Sequence, residues 1–331
     1  MEKLSVGVIG VGHLGKLHTK MFKQIDNCNL VGVYDANFDQ ASSVANEFST
    51  KAFNSIDDLL SQVSAVSIAA TTSAHYDLAK KCFDNNLHVF IEKPITATIQ
   101  EAEELVEISK SKNLKLQVGH IERFNPGLIS LEDYIAEPRF IQSDRLSQFN
   151  PRGTDVAVVL DLMIHDIDII LSLIKSEVKK IDANGVAVVS DHIDIANARI
   201  QFENGAVANV TASRISQKKM RKMRIFQKDH YISLDFVSGV SEVYRLQPVD
   251  QAAAPGAISF GEIGIGDKKK RLVYEQPEHK EINALNYELQ LFVDSVLNDK
   301  KIIVSGEDGL RALKVAEIII KKIEESTEDY N

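Results

Sequence analysis

Residues 161–168 read D-L-M-I-H-D-I-D, which places three carboxylates (Asp161, Asp166, Asp168) and an imidazole (His165) inside a run otherwise as apolar as a buried helix. Buried charge costs several kcal/mol unless it is paired, so the cluster needs a reason. Read as a helix over 155–174 with about 100° of rotation per residue, the pattern puts Asp161, His165 and Asp168 within about 60° of one another and Asp166 elsewhere. The other directions are apolar, giving a helix buried on most sides with one narrow polar stripe. That stripe suits either a structural Asp–His network or an acid–base group, because an imidazole titrates near neutral pH. A second candidate is Lys93 in "EKP" (Glu92-Lys93-Pro94), at the C-terminal end of a strand, the edge where open α/β sheets bind ligands. A lysine there, on a turn rigidified by proline, is a candidate electrophile or proton-transfer partner. A third is "GVGHLG", with Gly10, Gly12 and Gly15 in G-x-G-x-x-G spacing. The three glycines allow a tight turn, room for a pyrophosphate and close helix packing. Asp35 follows 20 residues after Gly15 and can accept from both adenosine ribose hydroxyls while repelling a 2′-phosphate, so NAD is expected rather than NADP. His13 and Lys16 are read as solvated helix side chains.

These groups need elements to hold them. Over the first 120 residues, apolar β-branched runs ("LSVGVIG", "NLVGVYD", "AVSIAA", "HVFIE", "KLQVGH") alternate with amphipathic helical stretches, the pattern of a doubly wound parallel sheet. After Asn125 come one strand, the polar-striped helix and several successive strands, two of them flanking Asn204-Gly205 as a type I′ hairpin. Residues 248–270 read as loop, and two helices close the chain. The expectation is therefore an α/β dinucleotide-binding domain over 1–121, and an α+β domain over 122–331 with a large, mostly antiparallel open sheet.

The chain of 331 residues has 44% hydrophobic and 26% charged residues with only 17 Gly and 7 Pro, an ordinary folded composition. A net charge of −9 argues against general nucleic-acid binding. Cys28 and Cys82 have neither zinc-site nor disulfide-framework spacing, so no metal is expected. With no signal-like N-terminus and charges within its longest apolar run, the protein is expected in the cytoplasm and not in a membrane.

The segments "GVIGVGHLGKLH", "TTSAHYDLAKKC", "VFIEKPI", "VGHIERFNP", "DLMIHDIDII", "FENGAVANVTAS" and "GEDGLRALKVAEII" together resemble the Gfo/Idh/MocA oxidoreductases over essentially the whole chain. The resemblance implies that Lys93, Asp161 and His165 form the catalytic group, from the lysine of E-K-P and the aspartate and histidine of D-x-x-x-H. Many members read D-x-G-x-H, whereas Met163 stands at the glycine here. It also implies that Gly10, Gly12, His13, Leu14, Gly15, Asp35, Thr71, Thr72, His75, Glu92 and Lys93 hold NAD. The segments around Glu122 and Arg145 look most like the branch that oxidises C3 of UDP-linked N-acetylglucosamine. On that reading Glu122, Arg123, Asn125, Arg145 and Arg152 bind substrate, the arginines meeting a diphosphate through bidentate contacts. His165 would take a hydroxyl proton and Lys93 would stabilise charge on the oxygen, while Asp168 would fix structure. The basic run 218–224 is read as a solvated strand face. Two alternatives stand beside this: an inositol or monosaccharide dehydrogenase, and a non-catalytic NAD-binding regulatory protein. The family resemblance further implies a homodimer or homotetramer.

Overall fold

The computed structural model describes residues 3–150, 156–251, 256–278 and 280–328. In chain order the elements begin with β1 (Leu4–Ile9), α1 (His13–Phe22), β2 (Cys28–Tyr34), α2 (Phe38–Glu47), β3 (Lys51–Ala52), α3 (Ile56–Leu60), β4 (Ala65–Ile68) and α4 (Thr72–Asp84). They continue with β5 (His88–Glu92), α5 (Ile99–Ser111), β6 (Leu116–Gly119), a 3₁₀ turn (Ile121–Phe124), α6 (Pro126–Ile129), β7 (Phe140–Leu146), a π-helical segment (Val159–Met163) and α7 (Ile164–Leu173). The strands β8 (Val178–Val186), β9 (Ile195–Phe202), β10 (Val207–Ser213), β11 (Met220–Gln227), β12 (His230–Asp235), β13 (Val240–Pro248), β14 (Ile258–Ile263) and β15 (Lys270–Glu275) follow, and α8 (Ala284–Leu297) and α9 (Gly306–Glu328) end the chain. Two compact units result: Met1–Phe124 with Ile282–Lys314, and Asn125–Glu281 with Val315–Asn331.

The first unit is a six-stranded, all-parallel sheet in the order β3-β2-β1-β4-β5-β6. Every residue of β4 and β6 is buried, which explains their largely apolar runs, broken only by Ser67 and Gln117. The strand order reverses between β1 and β4, the switch point at which such sheets leave a crevice for a nucleotide. The expected boundary at 121 misses two features, because α8 and the start of α9, through Lys314, belong to this unit. Leu289, Phe292 and Val293 of α8 share a core with Met21 and Phe22 of α1 and Leu4 and Val6 of β1. A helix so far along the chain completes the first core because its apolar face finds α1, a tertiary choice that chain order conceals.

The second unit is a nine-stranded sheet in the order β14-β15-β13-β12-β11-β7-β10-β9-β8. Only β7 and β10 run parallel among the paired strands; the rest are antiparallel. The face carrying Ile141, Ser143, Arg145, Val210, Met223 and Ile225 is buried, and α7 packs against β7 and β10. On the opposite side of the strands Phe140, Phe226, Tyr231, Tyr244, Tyr274 and Phe260 form a row with successive ring centroids 5.7, 4.9, 5.4, 5.2 and 5.9 Å apart.

Two sequence expectations change here. The segment 248–270 contains β14, whose six residues are all exposed, so no alternating burial marks it as a strand. The β9–β10 hairpin closes through a three-residue loop rather than a two-residue type I′ turn. Gly205 N–H donates to Phe202 O, Phe202 N–H to Ala206 O, and only Gly205, at φ 80°, takes the left-handed conformation.

Candidate active site

At the end of β1 the chain turns at Gly10 (φ 81°), where a Cβ would lie 2.7 Å from Ala70 N and Cα. A Cβ at Gly15 would lie 1.8 Å from Gly10 O, so this glycine lets α1 pack against the loop. Gly12 differs: a Cβ there meets nothing nearer than Gln40 Nε2 at 4.0 Å. Gly12 is the N-cap of α1 and supplies no side-chain cap, leaving the first helical turn suited to an anion. In front of it lies a cavity of about 550 Å³ lined by Gly10, Gly12, His13, Leu14, Asp35 and Thr71, together with Tyr34, Gln40 and Ala70. That size is in the range of a small-molecule site.

Asp35 Oδ2 accepts from Val11 N–H at 2.8 Å and Oδ1 from Asn37 N–H at 2.9 Å. The carboxylate therefore clamps the glycine loop while keeping lone pairs for ribose hydroxyls. Gln40, which no motif marks, clamps the same residue from the other side, Nε2 donating to Val11 O at 2.9 Å. Among the described residues lining the cavity there is no lysine or arginine. Lys16 is paired with Glu47 at 2.7 Å on the surface, as a solvated helix residue should be. An open cradle at Gly12, an uncapped helix start and an acidic residue at the end of β2 fit a dinucleotide.

The E-K-P turn follows β5, and the Lys93–Pro94 peptide is cis. His75 of α4, expected to touch cofactor, has both ring nitrogens turned to carbonyls: Nδ1 lies 2.9 Å from Pro94 O and Nε2 3.1 Å from Ala70 O. Burial pushes its pKa down against the pull of those carbonyls. A neutral ring has one N–H, so it donates to one of them and clasps the turn to the end of β4. Glu92 likewise faces inward: its carboxylate is buried, with Oε1 3.1 Å from His18 Nε2 and Oε2 accepting from Lys93 N–H at 3.3 Å. Burial raises its pKa, but the His18 contact and Lys93 outweigh that and hold it below the ordinary carboxylate value. Thr71 is the exposed N-cap of α4, and Thr72 begins the helix.

In the second unit, the helix read over 155–174 begins with a π segment at Val159–Met163 before α7. Winding with i→i+5 bonds breaks the constant 100° advance on which the three-residue stripe rested, and such segments recur at functional sites. Asp161 and His165 are half-buried, whereas Asp168 is 1% exposed. Leu160 and Leu162 are also only half-buried, so the segment is less enclosed than its composition suggests.

Asp166, given no role by the sequence, is the anchor. Its Oδ2 accepts from Arg145 Nε at 2.5 Å, and its Oδ1 from Arg145 Nη2 at 3.3 Å and Ser143 Oγ at 2.7 Å. This corrects the reading of Arg145 as a diphosphate ligand: it is 2% exposed and its guanidinium ties α7 to β7. A neighbouring buried pair, Arg214 with Asp194 (3.6 Å), also holds the approach to the π segment, Arg214 Nη2 donating to Val156 O and to Ile193 O. Asp194 is buried, yet N–H groups of Val189, Val188 and Ser190 and the Ser190 hydroxyl keep its carboxyl far below the usual range.

Of the remaining expected substrate residues, Asn125 is the N-cap of α6. Its Oδ1 accepts from Gly127 N–H at 3.1 Å and its Nδ2 donates to Phe236 O at 3.1 Å, so its amide is used in structure. Glu122 is buried, and Arg123 lies 3.7 Å from Asp308. Arg152 lies outside the described residues. The structure thus gathers Gly10, Gly12, His13, Leu14, Asp35 and Thr71 around one cavity of the first unit, with Gly15 behind them. Lys93 belongs to that unit, and Asp161 and His165 to the other.

A parallel sheet of this order with a glycine cradle and an acidic partner, joined in one chain to a broad mixed-sheet unit, defines a dinucleotide-dependent oxidoreductase of two modules. Residues 4–120 match the oxidoreductase family with NAD-binding Rossmann fold (GFO/IDH/MocA), and residues 135–232 match its C-terminal domain. The chain is 36% identical over 317 residues to UDP-N-acetylglucosamine 3-dehydrogenase of Acidithiobacillus ferrooxidans, covering 96% of each. It superimposes on the solved structure of that enzyme with a TM-score of 0.86 over 98% of this chain and 99% of the other, at 34% identity. Myo-inositol 2-dehydrogenase of Thermotoga maritima is 25% identical over 97% of both chains. The chain belongs to the Gfo/Idh/MocA family of NAD-binding oxidoreductases.

Proposed function

We propose that the protein oxidises the C3 hydroxyl of UDP-N-acetylglucosamine or a closely related nucleotide sugar to a ketone, with NAD in preference to NADP. The observation that carries this reading is the near full-length similarity to an enzyme named for that reaction, in a chain that keeps Lys93, Asp161 and His165. Gly10, Gly12 and the start of α1 hold the diphosphate of the cofactor, and Asp35 takes the adenosine ribose hydroxyls and disfavours a 2′-phosphate. When bound, NAD supplies a pyridinium carbon that accepts hydride. His165 removes the hydroxyl proton as the C–H bond breaks and the C=O bond forms. Lys93 donates a hydrogen bond to the oxygen as negative charge develops on it, and Asp161 holds Lys93 or the sugar in place.

Glu122 and Arg123 remain candidate substrate contacts, the latter for the diphosphate. The aromatic row on the broad sheet supports self-association as a homodimer or homotetramer. Buried free thiols at Cys28 and Cys82 suit a reducing cytoplasm. The test is NADH formation at 340 nm with UDP-N-acetylglucosamine, N-acetylglucosamine, myo-inositol and glucose, each with NAD or NADP. An aminotransferase couple removes the ketone in case equilibrium is unfavourable. Turnover confined to the UDP sugar with NAD is expected; equal or better turnover of myo-inositol overturns the substrate, and NAD binding without any reduction points to a regulatory protein.

A further inference from the structure

We propose that His18 and Ser67 are positioning residues for Lys93, acting through the carboxylate of Glu92. The proposal rests on the reading that Lys93 acts on the substrate oxygen. Glu92 of the E-K-P turn meets two polar side chains, His18 and Ser67, to which no motif gives a role, inside the core of the first unit. Ser67, in the middle of β4, and His18, on α1, are both 0% exposed, and Glu92 at the end of β5 is 8% exposed. His18 Nδ1 lies 2.8 Å from Ser67 Oγ, and Nε2 lies 3.1 Å from Glu92 Oε1. The far oxygen of Glu92 accepts from the backbone N–H of Lys93.

A parallel sheet core is normally filled with apolar side chains, so a polar cluster there needs a reason. The surroundings leave this chain of groups little freedom. The His18 ring packs edge-on to Phe90 at 5.5 Å between centroids, and a Cβ at Gly119 would lie 2.7 Å from Glu92 Oε1, so β6 also presses on the carboxylate. Beside an ionised Glu92 we assign the tautomer in which Nε2–H faces the carboxylate, at ion-pair distance rather than in a well-formed hydrogen bond, and Nδ1 accepts from the Ser67 hydroxyl. The charged or titratable groups acting on Glu92 among the described residues are His18 and Lys93, and Glu92 in turn acts on His75 of α4.

The result is a buried anion placed directly behind Lys93. It holds the backbone at the start of the E-K-P turn and favours the ammonium form of the lysine, the form that donates to a developing oxyanion. Without His18 the buried carboxylate keeps only Lys93 against the cost of burial, so its pKa rises and the negative charge behind Lys93 weakens.

The test follows Lys93 directly in the full-length chain with NAD present. With ¹³Cε-labelled lysine, the Lys93 signal is assigned by its absence in Lys93→Arg and titrated by NMR. His18→Leu is expected to lower its titration midpoint by about one pH unit. Ser67→Ala lowers it by less, and His18→Gln, whose side-chain amide can face Glu92 in place of Nε2, keeps it close to the wild type. In turnover, His18→Leu loses kcat by about tenfold or more with the Kd for NAD changed less than about threefold, and its alkaline limb moves to lower pH. A midpoint unmoved in both His18→Leu and Ser67→Ala, or moved equally by His18→Leu and His18→Gln, overturns the proposal. If His18→Leu does not fold, Ser67→Ala decides: a lowered midpoint supports the relay and an unchanged one overturns it. The titration needs no sugar, so a midpoint that responds in a protein that oxidises none sinks the functional reading alone, whereas an unresponsive midpoint in an active enzyme sinks the relay alone.

Discussion

Replacing Gly12 by alanine separates binding of the cofactor from folding. At this position φ is −61°, so an L side chain is unstrained, and the new methyl meets only Gln40 Nε2 at 4.0 Å. Losing glycine at an N-cap costs a few tenths to about 1 kcal/mol, and the reduced entropy of the unfolded chain returns about 0.4–1 kcal/mol. Net stability should therefore hold within about 1 kcal/mol, a Tm change of less than about 4 °C. The methyl nevertheless occupies the surface to which the proposed function assigns the diphosphate. Overpacking of about 1–3 kcal/mol, with weakening of charge-assisted bonds to backbone N–H groups, predicts a loss of about 2–3 kcal/mol in binding, or about 30- to 150-fold in Kd. Gly15→Ala is the contrast: its Cβ would lie 1.8 Å from a backbone oxygen, which only main-chain movement relieves. We expect Gly15→Ala to lose about 3 kcal/mol of stability and at least about 6 °C in Tm. The chain has no tryptophan, so calorimetric titration with NAD and differential scanning calorimetry are the direct assays. A Gly12→Ala protein that binds NAD within twofold of wild type would refute the placement of the diphosphate.

Three further outcomes follow from the second unit. Arg145→Met leaves Asp166 charged and buried, a loss of about 3–5 kcal/mol and more than about 6 °C in Tm; the double change Arg145→Met with Asp166→Leu should recover most of it in thermal melts. Asp194 is held below the ordinary carboxyl value of 3.8, so its contribution is fully present above about pH 4 and fades as acid takes the solution through its lowered pKa. Asp194→Asn should accordingly cost about 2–3 kcal/mol at pH 7, and the Tm gap from wild type should narrow on acidification; a gap independent of pH contradicts that account. If the protein self-associates through the partly exposed aromatic row as proposed, a Tyr231→Glu and Phe226→Glu double change should shift the mass measured by light scattering to that of one 36.8 kDa chain, while an unchanged larger mass places the interface elsewhere.

Much of this architecture is legible in the residues. The largely apolar runs of β1, β4 and β6 report burial on both sheet faces, and the motif residues Gly10, Gly12 and Asp35 line one cavity with Gly15 packed behind them. What escaped are long-range choices. The packing of α8 on α1 joins residues more than 260 positions apart, as in Phe22 with Phe292 in one core, and no local pattern encodes it. The six exposed residues of β14 lack an alternation to read. Arg145 and Asn125 were expected as ligands from the family resemblance, and what no sequence pattern showed is that their side chains also engage Asp166 and the start of α6. His18 was in view within "GKLH", but only coordinates set it between Ser67 and Glu92. The π segment reshapes the Asp161–His165 spacing in a way that a constant helical period cannot anticipate.

The central claim is that Lys93 and His165 serve one carbon–hydrogen bond of the sugar. It is tested most directly by following deuterium from C3 of UDP-[3-²H]-N-acetylglucosamine in the wild type and in His165→Asn. The account predicts deuterium on the reduced nicotinamide and a primary isotope effect in the wild type, with turnover at neutral pH lower by about 100-fold or more in His165→Asn. Unlabelled NADH from the deuterated sugar, or undiminished turnover in His165→Asn, would contradict it.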